Sequence, residues 1–133
     1  PTYFESVARL LKSGGKACVQ TIVIDDSLFD RYVKSTDFIQ QYIFPGGCLP
    51  CPREFRAHAE RAGLKVVDEL AFGLDYAETL RRWRHQFMAD KAQVLQLGFD
   101  ERFIRIWEFY LAYCEAAFEQ HNTDVMQFTL VKP

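Results

Sequence analysis

The sequence has no apolar run near the roughly 20 residues that a bilayer-spanning helix needs, so no helical membrane span is expected. It has no excess of basic charge. Sixteen Lys and Arg stand against 18 Asp and Glu, a net of −2, which leaves no electrostatic footprint for nucleic acid. Histidine is scarce, with three residues, and among four cysteines there is only one Cys-X-X-Cys pair, Cys48 and Cys51. No second pair completes a four-ligand zinc site. In a chain this rich in core residues, four cysteines are not a secreted disulfide framework, and a reducing cytoplasm is expected. The seven glycines include no strand-to-helix turn that could hold a nucleotide. Ser13-Gly14-Gly15 precedes a strand, the wrong order for a phosphate loop.

What is present is apolar and aromatic. Hydrophobic residues make up 49% of the chain and aromatic ones 15%, with twelve Phe, enough for one domain with its own core. Helical spacing of Phe4, Val7, Ala8 and Leu11 predicts a helix over 2–11. The β-branched run Val19, Ile22, Val23 and Ile24 predicts a strand over 17–24, dense enough to suggest burial on both faces. Short helical patches follow over 28–42. A helix over 52–62 starts at Pro52, with Cys51 at its cap, and Gly63 ends it before a strand over 64–72. Helices are expected over 75–89, 91–97 and 100–119. In the last, Asp100 is the cap, and Phe103, Trp107, Tyr110, Leu111, Cys114 and Phe118 form one broad apolar face. A strand over 124–131 ends the chain. Helix, glycine and strand recur in that order, which argues for an α/β fold.

The segment from Asp37 to Cys51 is unusual. It is too apolar for an ordinary surface connection and too broken by Pro45, Gly46, Gly47 and Pro50 for a strand or long helix. An apolar loop usually covers something, and a pocket is expected beneath it, with Phe38, Tyr42 and Phe44 as candidates for its lining. The alternative for these rings is plain packing. Cys48 and Cys51 permit a thiol redox reading, which requires a depressed thiol pKa; the competing reading makes Cys51 a helix cap. Trp83, Phe87, Trp107, Tyr110 and Phe118 are expected to be core. Arg81, Arg82 and Arg84, like Arg102 and Arg105, read as solvated helix faces that could also meet anionic headgroups.

Three stretches carry a family resemblance. They are Asp37-Phe-Ile-Gln-Gln-Tyr-Ile-Phe-Pro-Gly-Gly47, Gly73-Leu-Asp-Tyr-Ala-Glu-Thr-Leu-Arg-Arg-Trp83, and Gly98-Phe-Asp-Glu-Arg-Phe103 with Trp107, Tyr110, Leu111, Cys114 and Phe118. Together with Leu-Leu-Lys-Ser-Gly-Gly-Lys16 and the final Gln-Phe-Thr-Leu-Val-Lys132, they resemble the cyclopropane-fatty-acyl-phospholipid synthase family, which includes the mycolic acid cyclopropane synthases. The resemblance runs the length of the chain, in order. It implies an α/β fold: the C-terminal part of a Rossmann-like class I S-adenosylmethionine (SAM) methyltransferase, contributing three strands. Helical segments that enclose substrate are expected at about 28–62 and 75–119. Because the sheet starts late and the chain opens at Pro1 inside an amphipathic pattern, the expectation is a fragment, inactive alone, with the SAM site upstream of it.

The resemblance implies transfer of a methyl group to a cis double bond of a phospholipid acyl chain, followed by proton loss and ring closure. A carbocation needs shielding from water and can be stabilised by aromatic faces, while one positioned acceptor must take the proton. The family's base is a bound bicarbonate. Its tyrosine matches Tyr76, and its polar strand position matches Gln20, with Ile22 two residues on and on the same face. Here the chain departs from well-known members, which carry His at position 20. Substrate contacts are implied at Phe38, Tyr42, Phe44, Pro45, Gly46 and Gly47. The partners implied are phospholipid acyl chains at the cytoplasmic face of a membrane, and self-association through an open sheet edge is expected. Two rival readings remain: a methyltransferase that leaves a methyl or methylene branch, and a non-catalytic lipid-binding module.

Overall fold

The computed structural model describes residues 2–133. Ten elements follow in order: α1 (Thr2–Leu10), β1 (Lys16–Ile24), α2 (Phe29–Tyr32), α3 (Phe38–Tyr42), α4 (Pro52–Arg61), β2 (Lys65–Ala71), α5 (Gly73–Ala89), α6 (Lys91–Gln96), α7 (Glu101–Glu119) and β3 (Thr123–Val131). The three strands form one sheet in the order β1-β3-β2. β3 runs antiparallel to both neighbours, so β1 and β2 point the same way across it. The last strand in sequence is therefore the middle one in space.

That order corrects one expectation. The apolar density of 17–24 suggested burial on both faces, but among the described residues β1 pairs on one side only. Its first half alternates, with Lys16, Cys18 and Gln20 exposed, and only Val23 and Ile24 are fully enclosed. The central position belongs to β3, where Val125, Met126, Phe128 and Leu130 are all buried.

Side-chain alternation along β3 sends its residues to two different cores. Met126, Phe128 and Leu130 face α1 and α4, packing with Phe4, Val23, Phe55, Ala59 and Leu64. The Phe128 ring lies 3.9 Å from Phe55, centroid to centroid, in a stacked arrangement. Burying a ring of this size contributes roughly 1.5–3 kcal/mol. Val125 faces the other way, into a second core with Ala77, Leu80, Leu111 and Phe118 of α5 and α7.

Helix starts are fixed by carboxylates. Asp100 accepts the Phe103 amide at 2.8 Å, as its position before α7 predicts. Asp37 and Gln40 form a reciprocal capping box on α3. At α4 the expectation is half right. Cys51 occupies the cap position with extended backbone and Pro52 follows it, but the thiol makes no capping bond. The start of α4 is held instead by Asp26, which accepts the Arg53 amide at 3.0 Å. Cys51 is fully buried, and burial pushes its thiol above the ordinary value. That is opposite to what a redox cysteine requires.

Candidate functional site

α5 and α7 are the longest helices, and they pack on each other over the Ile22 end of the sheet. Between them lies a cavity of about 270 Å³, walled by Ile22, Tyr76, Leu80, Trp83, Phe87, Trp107, Tyr110, Leu111, Cys114 and Phe118. The helical periodicity that assigned these aromatics to a core placed them on the right faces. They do not fill the space between the helices, however, and the cavity is what remains among the rings. An apolar cavity of roughly 150 Å³ already admits a benzene-sized guest.

The wall is aromatic, and each ring is braced by another. Tyr76 meets Phe118 edge-on at 5.1 Å and Trp83 at 5.9 Å. Trp107 lies 5.0 Å from Tyr110 and stacks on Phe103 at 5.8 Å. No Asp, Glu, Lys or Arg is among the lining residues. The polar atoms that do reach it stay protonated. Burial pushes Tyr110 up to about 12 and Cys114 up to about 11, and it raises Tyr76 as well. A thiol with so high a pKa is a poor nucleophile at neutral pH, so the wall presents ring faces and neutral hydroxyls and no competing nucleophile.

Charge is kept just outside. Glu115 follows Cys114 in sequence and is only 8% exposed. It accepts from Arg81 Nε at 3.2 Å and from Arg84 at 3.1 Å. Arg81 also pairs with Glu78 and reaches Glu119 at 3.5 Å, and Arg82 pairs with Glu78 at 2.8 Å. Arg81 and Arg84, expected as a solvated face, are instead a clamp between α5 and α7, whereas Arg82 stays exposed and pairs only within α5. Sequence spacing could not reveal this, because a pair 31 or 34 residues apart leaves no periodic signal.

The structure brings together some of the expected site residues and separates others. Tyr76 and Ile22 share the cavity wall. Gln20 lies on the Ile22 face but outside the wall; its side-chain oxygen accepts from Gln127 at 2.9 Å, directly across the β1–β3 ladder. That bond uses the Gln20 oxygen and leaves its amide group as a donor, while no Lys or Arg lines the cavity, so the lining offers only neutral groups to an anion. Phe38, Tyr42 and Phe44 are not in the wall either. Phe38 packs on Phe109 at 4.7 Å, on the outer side of α7, and on Tyr42 at 5.3 Å. Phe44 reaches the Tyr110 ring at 6.3 Å, so it abuts the cavity from behind one of its walls. Pro45 and Gly46 are exposed at the loop tip, and Gly47 lends its carbonyl to Gln40 Nε2 at 2.8 Å, which closes the loop. The Tyr32 hydroxyl fixes the other side by accepting the Leu49 amide at 2.9 Å.

Comparison with known proteins agrees with this geometry. The family model for mycolic acid cyclopropane synthetase matches residues 1–128. A tuberculostearic acid methyltransferase, UfaA1, from Mycobacterium tuberculosis is 40% identical over 99% of this chain and 31% of its own length. The cyclopropane-fatty-acyl-phospholipid synthase of Escherichia coli is 34% identical over 95% of this chain and 31% of its own. Among solved structures, mycolic acid cyclopropane synthase CmaA1 complexed with SAH and CTAB superimposes with a TM-score of 0.87, at 29% identity, over 98% of this chain and 49% of that one. The chain thus spans about a third to a half of the length of these relatives. With the family model covering nearly all of it, and the three-stranded sheet and paired helices matching solved members, the chain belongs to the mycolic acid cyclopropane synthetase family.

Proposed function

We propose that the protein carrying this chain is a SAM-dependent methyltransferase acting on a carbon–carbon double bond of a lipid acyl chain. This chain supplies the apolar wall around the reacting carbons. The observation that carries the reading is the cavity between α5 and α7: aromatic, free of charged side chains, and lined by Tyr76 and Ile22. SAM, bound by residues outside this chain, would supply the methyl group. The double bond's electron pair forms the new carbon–carbon bond, and the methyl–sulfur bond breaks. The positive charge left on the neighbouring carbon is then met by the faces of Tyr76, Trp83, Trp107 and Phe118. Cation–π contact with such faces contributes about 0.5–2 kcal/mol each, and exclusion of water prevents capture as an alcohol.

The product we assign is the cyclopropane, formed when the new methyl gives its proton to a base held by residues of the full-length protein outside this chain and its carbon closes on the cation. A second reading, an open-chain methyl or methylene branch, is favoured by one observation: no carboxylate, histidine or cationic side chain that could take the proton or hold a base lines the cavity. The name of the 40%-identical relative points the same way. The test is to incubate the full-length protein with methyl-labelled SAM and oleoyl phospholipid and to analyse the acyl chains by mass spectrometry. Label in a saturated ring supports the first reading, and label in a branch supports the second. No label in any acyl chain refutes both, and the absence of SAM binding as well leaves a non-catalytic lipid-binding module.

A further inference from the structure

Outside the cavity, the opposite side of α7 carries a second aromatic group that the proposed chemistry does not use. Phe109 is 52% exposed and Tyr113 is 37% exposed. The two rings lie 6.0 Å apart, and Phe38 sits against both, at 4.7 and 6.2 Å. Tyr42, packed on Phe38, is 53% exposed. Rings of this size in contact with one another, yet open to water, form a continuous apolar patch, and such patches mark interaction sites.

The charges beside the patch narrow the choice of partner. Arg102, Arg105, Phe109 and Tyr113 follow one another at spacings of three and four residues, so they lie on one face of α7. That face runs about 16 Å, at roughly 1.5 Å per residue. Arg102 and Arg105 are exposed and make no ion pair among the described residues, whereas Arg81, Arg82 and Arg84 on α5 are all paired. The neighbouring Glu101 is taken by Lys91 at 2.9 Å. Asp37 is committed to the α3 cap, and Glu108 is the remaining acid on this part of the helix. Aromatic rings that can sit at headgroup depth, next to long cationic side chains that reach outward, are the combination an interfacial helix uses on an anionic bilayer.

We propose that Phe38, Tyr42, Phe109 and Tyr113, with Arg102 and Arg105 at their edge, form the surface on which this protein docks to a bilayer containing anionic phospholipid. The proposal rests on the acyl-lipid reading of the cavity and extends it. Phe44, two residues after Tyr42 in sequence, reaches the Tyr110 ring of the cavity wall at 6.3 Å, so a bilayer docked on the patch lies near the site its acyl chains must enter.

The experiment uses the full-length protein and vesicles of phosphatidylcholine with or without phosphatidylglycerol, read by flotation. Two variants are compared with wild type: Arg102→Gln with Arg105→Gln, and Phe109→Ser with Tyr113→Ser. The arginine pair is expected to weaken partition to the anionic vesicles by roughly tenfold or more, and to leave the neutral vesicles unaffected. The aromatic pair is expected to weaken partition to both. Methyl transfer to lipid dispersed in detergent should survive in the arginine variant. Unchanged partition of the arginine variant overturns the proposal by itself, even if the aromatic variant fails to fold. A shift of the aromatic variant from dimer to monomer in sedimentation, with partition unchanged, assigns the face to a second copy of the chain and also overturns it. If vesicle binding follows the prediction but no methyl transfer is seen, the docking surface stands and the enzymatic reading falls.

Discussion

The Gly73 amide donates to Asp124 Oδ1 at 2.7 Å, joining the first residue of α5 to the start of β3, 51 residues later. The same carboxylate oxygen accepts the Val125 amide at 2.8 Å. A helix N-terminus is the favourable place for a negative charge, and this one sets where α5 begins. Tyr76 lies three residues along, so one carboxylate fixes the height at which its ring meets the cavity. The approach is close: a Cβ on Gly73 would lie 2.5 Å from that oxygen and 3.2 Å from the Asp124 Cα.

Gly73→Ala should therefore displace Asp124 and destabilise the protein by about 1–3 kcal/mol. Asp124→Asn keeps an acceptor oxygen and gives up only the charge, and it should cost about 0.3–1 kcal/mol. Urea unfolding of the two variants checks the order. A Gly73→Ala protein as stable as wild type would show that the backbone gives way there without strain.

The clamp at Glu115 makes a second prediction. Removing a nearly buried carboxylate leaves Arg81 and Arg84 without their shared partner. Both arginines keep some contact with water, so the loss is smaller than for a sealed ion pair, about 1–3 kcal/mol for Glu115→Ala. Glu115→Gln, which still accepts, should cost less. Calorimetric melting would measure it, and equal Tm values for the two variants would mean that the charge, which both remove, accounts for the whole effect and that the remaining acceptor adds nothing.

How much of this could be read from the sequence follows from what leaves a periodic signal. The α7 face from Phe103 to Phe118, the Asp100 cap, the short α6 and the alternation along β3 are local patterns, and each is where the residues put it. Cross-chain relationships are not local. Nothing in the spacing of Gly73 and Asp124, or of Arg84 and Glu115, marks them as partners. The insertion of β3 between β1 and β2 is equally silent, because β1 is the more β-branched strand and reads as the central one. At the site, Tyr76 and Ile22 came through the resemblance and do meet. Gln20 was placed on the correct face, but its cross-strand partner Gln127 could not be seen without the register. Phe38, Tyr42 and Phe44 were legible as an aromatic group covering something: Phe38 and Tyr42 lie over the outer side of α7, and Phe44 lies against Tyr110.

Raised pKa values give a prediction in alkaline solution. Cys114 rises from 9.0 to about 11 and Tyr110 from 10.0 to about 12, mainly through burial. In the unfolded chain these groups ionise first, so the stability linked to their neutral forms is fully present below pH 9. It is lost as pH rises from about 9 to 11 for Cys114 and from about 10 to 12 for Tyr110. Stability measured against pH should fall over this range, and less steeply in Cys114→Ala. At neutral pH, iodoacetamide should modify the exposed Cys18 and Cys48 before Cys51 and Cys114. Early labelling of Cys114 would contradict the burial that raises its thiol pKa.

The acid side turns on Arg56 and Glu69, which join α4 to β2 through two bonds of 2.6 and 2.8 Å. The hydrogen bond from Arg56 holds Glu69 below its ordinary value of 4.5. The stabilisation is therefore present above that pH and is lost as pH falls through the lowered value. Because both side chains are partly exposed, a double-mutant cycle should give no more than about 1 kcal/mol at neutral pH. It should give nothing once Glu69 is protonated, and a coupling that persists at pH 2 would place its origin in packing.

Tyr76→Phe separates the ring of this residue from its hydroxyl. The ring's edge-on contacts with Phe118 and Trp83 do not need the oxygen, so the fold and the cavity should survive with little change in Tm. If the hydroxyl helps to position the group that takes the proton, turnover of the full-length protein should drop by about 10²-fold or more, with a much smaller change in KM. If the tyrosine acts only as a cation-facing ring, Phe should support near-normal turnover and Tyr76→Leu should not. Steady-state kinetics on the Phe and Leu variants therefore decide which part of Tyr76 the chemistry uses. A Leu variant as active as wild type would remove Tyr76 from the mechanism altogether.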